Sequence, residues 1–189
     1  MPEGRIFLHS SEHGRVDITE AEEPQMQSIR GKEVAMIFQE PMTCLNPVLS
    51  IKTQLTEPLL QHQGMSTVEA EEKVLGLLRR VRVPDPEKKL DQYPHHLSGG
   101  MRQRAMIAMA LCCQPALLIA DEPTTALDVT IQAQILDLIK DLQGEFGMSV
   151  MFITHDMAVI AEMADRVVVM FNGEVVEQGP VDQIFHAPQ

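Results

Sequence analysis

The sequence predicts an α/β fold with a mostly parallel central sheet that is interrupted by a helical insertion. Short apolar runs at 34–38, 116–120 and 149–154 are typical of strands buried on both faces. Longer amphipathic patterns alternate with these runs, as expected where helices connect parallel strands. Residues 42–96 contain several prolines, helical periodicity and no comparable apolar run, which predicts that this segment is the insertion.

Before the first buried strand, the sequence predicts two short strands and a helix. Residues 5–9 and 15–18 alternate in polarity on either side of the polar segment 10–14, which predicts two strands joined by a turn. A short helix over 25–30 is expected to end at Gly31.

The rest of the chain alternates between helices and strands. Helical patterns are found at 67–81, 99–113, 130–143 and 157–164. Ser98 is well placed to cap the second of these helices. At the end of the chain, Asn172 and Gly173 separate two apolar segments, 166–171 and 174–178, which predicts a β-hairpin.

Composition indicates a soluble domain that does not bind nucleic acid. The 189 residues carry a formal net charge of −12, whereas a nucleic-acid-binding domain needs a basic face. Cys44, Cys112 and Cys113 form no disulfide framework, which favours a reducing compartment. No signal peptide is expected at the N-terminus. The most apolar stretch, 105–120, is too short and too interrupted to span a bilayer.

Polar side chains follow the predicted buried strands. Asp121 and Glu122 end one strand, at the sheet edge where α/β folds bind ligands. There, Asp121 would hold Mg²⁺ and Glu122 would orient or deprotonate an attacking water. Gln39 and His155 end two other strands. Taken alone, the two carboxylates fit a solvated acidic turn equally well.

A second motif precedes the helix at 99–113. Ser98, Gly99 and Gly100 leave uncovered backbone N–H groups at a helix N-terminus, where the helix dipole favours phosphate. Glycine also removes side chains that would block a polyphosphate. Taken alone, this motif fits an ordinary N-cap equally well.

The order of these motifs resembles the ATPase domain of ABC transporters. From about residue 31 to residue 189, a strand ending in Gln39, a helical insertion, Leu-Ser-Gly-Gly at 97–100 and a strand ending in Asp-Glu follow the family pattern. Segments 38–47, 93–104 and 120–128 are similar to the dipeptide and oligopeptide importer group. The resemblance implies a P-loop NTPase-like core and a single ABC ATPase domain over 1–189, with 42–96 as its helical subdomain.

The resemblance also implies roles for particular residues. Glu122 is the general base, His155 is the switch residue on the γ-phosphate, and Gln39 is the Q-loop glutamine. Asp121, together with Gln39, is expected to hold Mg²⁺. The residues expected to contact ATP are Ser98, Gly99, Gly100, Gln103 and Asp128.

The implied function is ATP hydrolysis that energises import of dipeptides, oligopeptides or glutathione. The implied partners are a second ABC ATPase domain, bound head-to-tail, and integral membrane permease subunits. A periplasmic or extracellular peptide-binding protein would act indirectly, and no nucleic acid is involved. The expected location is the peripheral, cytoplasmic face of the cell membrane.

One part of the family pattern is not found in this chain. A Walker A loop requires Gly-x-x-x-x-Gly-Lys followed by Ser or Thr. Gly31-Lys32 is followed by Glu33, and Met26 stands where the first glycine would be. The N-terminal part of the fold is therefore expected to be incomplete. The alternatives are a non-catalytic module that contributes only its signature face to a partner, or an inactive truncated product. An ABC-type ATPase acting on DNA or ribosomes is disfavoured by the acidic charge.

Overall fold

The computed structural model describes residues 4–10, 14–39, 44–124 and 128–187. The chain divides into two compact units, Met1–Met151 and Phe152–Gln189. Residues 42 and 43, where the helical subdomain was predicted to begin, lie outside the described residues. The predicted subdomain boundaries stay a prediction.

The sheet that carries the candidate site lies after an N-terminal pair of strands. Strands β1 (Phe7–Ser10) and β2 (Gly14–Asp17) are antiparallel, and helix α1 (Glu23–Ile29) follows them. Strands β3 (Val34–Ile37), β4 (Leu117–Asp121) and β5 (Ser149–Ile153) then form a sheet of order β3-β4-β5.

Strands β3 and β4 are parallel, with Val34 opposite Leu117 and Ile37 opposite Ala120. Alternate residues of both strands are buried and the residues between them are half-buried, so both faces of this pair are covered. This is the environment that their uninterrupted apolar sequences predict.

The Leu-Ser-Gly-Gly sequence at 97–100 is called the signature motif. Within the described residues 44–96, only helical structure is found between β3 and this motif. The elements are α2 (Ile51–Gln63), α3 (Thr67–Arg80), α4 (Pro86–Lys89) and a 3₁₀ turn at Pro94–His96. Ser50 and Ser66 cap the first two helices by accepting hydrogen bonds from backbone N–H groups in the first turn.

Two helices supply much of the core of the first unit. Helix α5 (Gly99–Leu111) buries Met106 and Ile107 completely. Helix α6 (Val129–Phe146) is amphipathic, and its buried residues are Ile135, Leu136, Leu138, Ile139 and Leu142. Removing such side chains from water supplies roughly 1.5–3 kcal/mol each, so these faces fix where both helix N-termini lie.

The second unit contains α7 (Met157–Met163), β6 (Arg166–Phe171), β7 (Glu174–Pro180) and α8 (Val181–His186). The antiparallel pairing of β6 with β7 confirms the predicted hairpin. Asn172 and Gly173 both have positive φ, at 51° and 84°, as a two-residue type I′ turn requires. Among the helices that the structure describes, none combines the length and the apolar character needed to cross a bilayer.

Candidate functional site

The carboxyl ends of β3 and β4 lie side by side and bring two predicted catalytic residues into contact. Because Ile37 is opposite Ala120, Gln39 and Glu122 come level just beyond the strands. Nε2 of Gln39 donates a hydrogen bond of 2.9 Å to Oε2 of Glu122, although 83 residues separate them. Gln39 and Glu122 therefore meet at this sheet edge, where the sequence placed them.

The backbone at Glu122 adopts the left-handed conformation. Its φ is +44°, which is uncommon for a residue other than glycine. The neighbouring Asp121 ends β4 and is half-buried, whereas Pro123 on the other side is buried. A conformation of this kind costs of order 1–3 kcal/mol and persists only where surrounding contacts hold it, which is common at functional sites.

The signature motif forms the exposed N-terminus of α5. Ser98 caps the helix, because its Oγ accepts a hydrogen bond of 3.3 Å from the N–H of Met101. Ser98 and Gly99 are exposed, and a Cβ on Gly99 would meet no atom within 4 Å. The motif therefore offers backbone N–H groups and the positive end of a 13-residue helix to an anion.

Asp128 caps the neighbouring helix α6. Its Oδ1 accepts a hydrogen bond of 3.0 Å from the N–H of Ile131. A Cβ added to Gly100 would lie 3.4 Å from Cγ2 of Ile131, so the N-termini of α5 and α6 are adjacent. Asp128 immediately before a helix was a capping signal that the sequence analysis did not use. Ala126 and Leu127, which precede Asp128 in the importer-like segment 120–128, lie outside the described residues.

The interior face of helix α5 also contacts the segment that follows Asp121 and Glu122 at the sheet edge. Gln103 is only 1% exposed, and its Nε2 donates a hydrogen bond to the carbonyl of Pro123. Gln103 was expected to contact ATP, but in this conformation its amide faces the interior. A contact with ATP would require this buried side chain to become accessible.

The next residue, Arg104, joins α5 to two further elements. Its Nη1 donates to the carbonyl of Val81 at 2.8 Å, and its Nη2 donates to Oε1 of Gln134 at 3.0 Å. Burial lowers the pKa of the Arg104 guanidinium, and the positive charge of Arg82 lowers it further. The sequence predicted the helix but not the inward direction of these two side chains.

The segment 46–49 is fixed to α2 by the buried side chain of Gln54, for which the sequence analysis made no prediction. Oε1 of Gln54 accepts from the N–H of Asn46 at 2.7 Å, and its Nε2 donates to the carbonyls of Asn46 and Leu49, both at 3.0 Å. The available signal was the position of Gln54 among Ile51, Leu55 and Leu59 in the helical pattern, since an amide buried there needs partners.

The side chains at the sheet edge are of the chemical kinds that bind a magnesium ion. Across the described ranges, no three His, Cys, Asp or Glu side chains are grouped as a metal site. Mg²⁺ commonly binds through only one or two carboxylates, with phosphate and water oxygens as its other ligands. Asp121, with Glu122 and Gln39 beside it, provides such a set. His155 is exposed and belongs to the second unit, and its predicted role stays a prediction.

The sheet edge and the adjacent helix N-termini are features of a nucleotide-binding α/β domain, and sequence comparison gives the family. The family model described as ABC transporter matches residues 4–125. The chain belongs to the ABC transporter family, as its motifs predicted.

Relatives with high sequence identity are import proteins. The chain is 57% identical over 185 residues to the glutathione import ATP-binding protein of Salmonella typhi, and the match covers 98% of this chain and 30% of that protein. It is 57% identical over 186 residues to a Brucella ovis protein described as a peptide import ATP-binding protein, covering 98% of this chain and 55% of the relative. The chain thus spans between about a third and just over half of the length of these relatives.

Solved structures confirm the predicted fold class. A dimeric bacterial ABC transporter cassette matches with a TM-score of 0.79 and 28% identity, over 95% of this chain and 74% of that one. A dimeric ATP-binding cassette in a post-hydrolysis state, bound to ADP and Pi, matches with a TM-score of 0.76 and 29% identity. That match covers 88% of this chain and 70% of the cassette.

Proposed function

We propose that this chain is part of an ATP-hydrolysing domain that energises peptide import. The observation that carries the proposal is the hydrogen bond between Gln39 and Glu122 at the sheet edge. It joins an amide and a carboxylate beside Asp121, which is the combination needed to hold Mg²⁺ and to orient water.

In this proposal, each side chain at the edge has a separate task. Asp121 holds Mg²⁺ directly or through water, and the bound ion neutralises charge on the phosphates. Glu122 orients the attacking water and accepts its proton, a role worth about 10²–10⁴-fold in rate. Gln39 holds the Glu122 carboxylate at the edge through their hydrogen bond. His155 is assigned to the γ-phosphate by family resemblance.

The exposed N-terminus of α5 is proposed to bind ATP that a second ATPase domain holds. Ser98, Gly99 and Gly100 would donate to its phosphates, aided by the dipole of α5. Asp128 lies beside them through the contact between Gly100 and Ile131, so it would face the same partner. This arrangement requires two domains that associate head-to-tail.

The transported substrate is proposed to be a peptide, with dipeptides, oligopeptides and glutathione as the candidates. Support comes from the names of the relatives, which are import ATP-binding proteins for glutathione or peptides. In this role, the domain would lie at the cytoplasmic face of the membrane, bound to permease subunits that form the pathway. A peptide-binding protein on the other side would deliver the substrate.

The proposal is tested by changing Asp121 in the complete ATPase, assembled with its permeases in proteoliposomes. With Asp121→Asn, we expect ATP hydrolysis and peptide uptake to fall at least roughly 100-fold at millimolar Mg²⁺, because the metal ligand is lost. The matched control is Asp141→Asn, which removes an exposed carboxylate from α6 that pairs with Arg82 at 2.8 Å. Wild-type hydrolysis in the Asp121 variant would contradict the proposal, as would equal losses in both variants.

A further inference from the structure

Helix α5 connects two places that the proposed function assigns to different nucleotides. Its N-terminus, at Ser98 and Gly99, would contact ATP held by the partner domain. Its interior face, at Gln103, bonds to the residue that directly follows Glu122, the catalytic base for the ATP held by this chain itself.

The hydrogen bond between Gln103 of α5 and Pro123 is a rigid connection. Gln103 is 1% exposed, and Pro123, whose carbonyl accepts its hydrogen bond, is also buried. A hydrogen bond that water cannot replace is costly to break, because it would leave a buried polar group without a partner. Proline adds rigidity, since its ring fixes φ at the acceptor residue.

Two further contacts hold α5 against α6 on either side of Gln103. Gly100 packs against Ile131, and Arg104 donates to Gln134 at 3.0 Å, so α5 is joined to α6 at two residues about one turn apart. The bond from Gln103 to Pro123 lies between these contacts in sequence. A shift of the signature motif is therefore transmitted to the backbone beside Glu122.

The backbone at Glu122 is the element that such a shift would alter. Its φ of +44° is unfavourable for glutamate, and surrounding contacts must hold it there. Two contacts of this segment are the bond between Gln39 and the Glu122 carboxylate and the bond between Gln103 and Pro123. Without the second bond, the backbone directly after Glu122 loses one of the contacts that hold it, and the position of the carboxylate is less tightly restrained.

We infer that Gln103 is a positioning residue. Through Gln103, binding of this chain's signature motif to the partner's ATP positions Glu122 to hydrolyse the ATP that this chain holds. This inference rests on the proposed function. It connects the two nucleotide sites of a dimer physically. Each α5 would contact the partner's ATP at its N-terminus and would contact the segment beside its own Glu122 through Gln103.

The test uses mixed dimers of the complete ATPase, purified through two different affinity tags. Gln103→Leu keeps the side-chain volume and removes the donor. It is combined with Glu122→Gln in two arrangements. In the first, one copy carries both changes and the other copy is wild type. In the second, one copy carries Gln103→Leu and the other carries Glu122→Gln. The dimer carrying Glu122→Gln alone, opposite a wild-type copy, is the reference for kcat and KM.

If Gln103 acts through its own Glu122, the two arrangements differ. With both changes in one copy, the other copy keeps Glu122 and Gln103, so kcat should stay within about twofold of the reference. With the changes in opposite copies, the remaining Glu122 lies in the copy that lacks Gln103. In that arrangement kcat should fall at least tenfold while KM for ATP stays unchanged.

Other outcomes overturn the inference. Equal kcat in the two arrangements would mean that Gln103 has only a general structural role. A fall in kcat only in the dimer that has both changes in one copy would mean that Gln103 acts on the partner's ATP instead. The proposed function fails separately, if dimers carrying Glu122→Gln in both copies still hydrolyse ATP at the wild-type rate.

Discussion

Gln54 is expected to determine how firmly the segment 46–49 is held on α2. Its amide makes three hydrogen bonds of 2.7–3.0 Å with the backbone of Asn46 and Leu49. In Gln54→Leu, these bonds are lost while the buried volume is largely kept, so no large cavity forms. At about 1 kcal/mol net for each bond the loss would reach roughly 3 kcal/mol, and we expect about 2 kcal/mol because Asn46 is exposed and water can replace part of its bonding.

Hydrogen exchange gives the sharpest measure of this effect. A loss of about 2 kcal/mol corresponds to roughly 30-fold faster exchange of the Asn46 amide, if local opening controls its exchange. The matched control is Gln61→Leu, a change at an exposed position on the same helix, which should stay within about 0.5 kcal/mol of the wild type. Equal exchange at Asn46 in the two variants would refute the assigned role of Gln54.

Three other predictions follow from described contacts. Ser66 donates to Glu69 and lowers the pKa of that carboxyl. The stability lost in Ser66→Ala should therefore be largest at neutral pH and shrink as acid protonates Glu69. Urea unfolding at a series of pH values tests this, and a loss of stability that does not change with pH would contradict it. Asp128→Ala should cost about 1 kcal/mol of stability by removing the cap of α6, whereas Asp128→Asn should cost little, and equal losses in thermal unfolding would exclude a capping role. Burial raises the pKa of Cys112 to about 12, so a thiol reagent at neutral pH should label half-buried Cys44 well before Cys112, and equal labelling rates would contradict this.

The sequence predicted the sheet edge because its geometry depends on a simple rule. Parallel strands bring their carboxyl ends to one edge, so residues that follow apolar runs meet there even when they are far apart in sequence. Gln39 and Glu122 therefore came together as the pattern indicated. The left-handed backbone at Glu122 was not predicted, because it depends on contacts made by other segments.

The interior contacts of α5 were beyond the sequence pattern. This helix is buried around most of its circumference, so its apolar residues do not mark one inner face, and Gln103 and Arg104 gave no sign of their direction. Helix α6 is also longer than the predicted range of 130–143, because Gly144 does not end it. The helix instead continues to Phe146 and ends at Gly147, whose φ of +65° forms the C-cap. A single glycine costs only about 1 kcal/mol within a helix, which tertiary packing overrides.

The most direct test of the central claim is ATP turnover by Glu122→Gln in the complete ATPase, measured together with ATP binding. The matched control is Glu145→Gln, which removes a carboxylate of α6 that pairs with Arg80 at 3.1 Å, away from the sheet edge. We predict that the Glu122 variant binds ATP with wild-type affinity while its turnover falls by about 10²-fold or more, since only the group that activates water is lost. Near-wild-type turnover in that variant would show that Glu122 is not the general base.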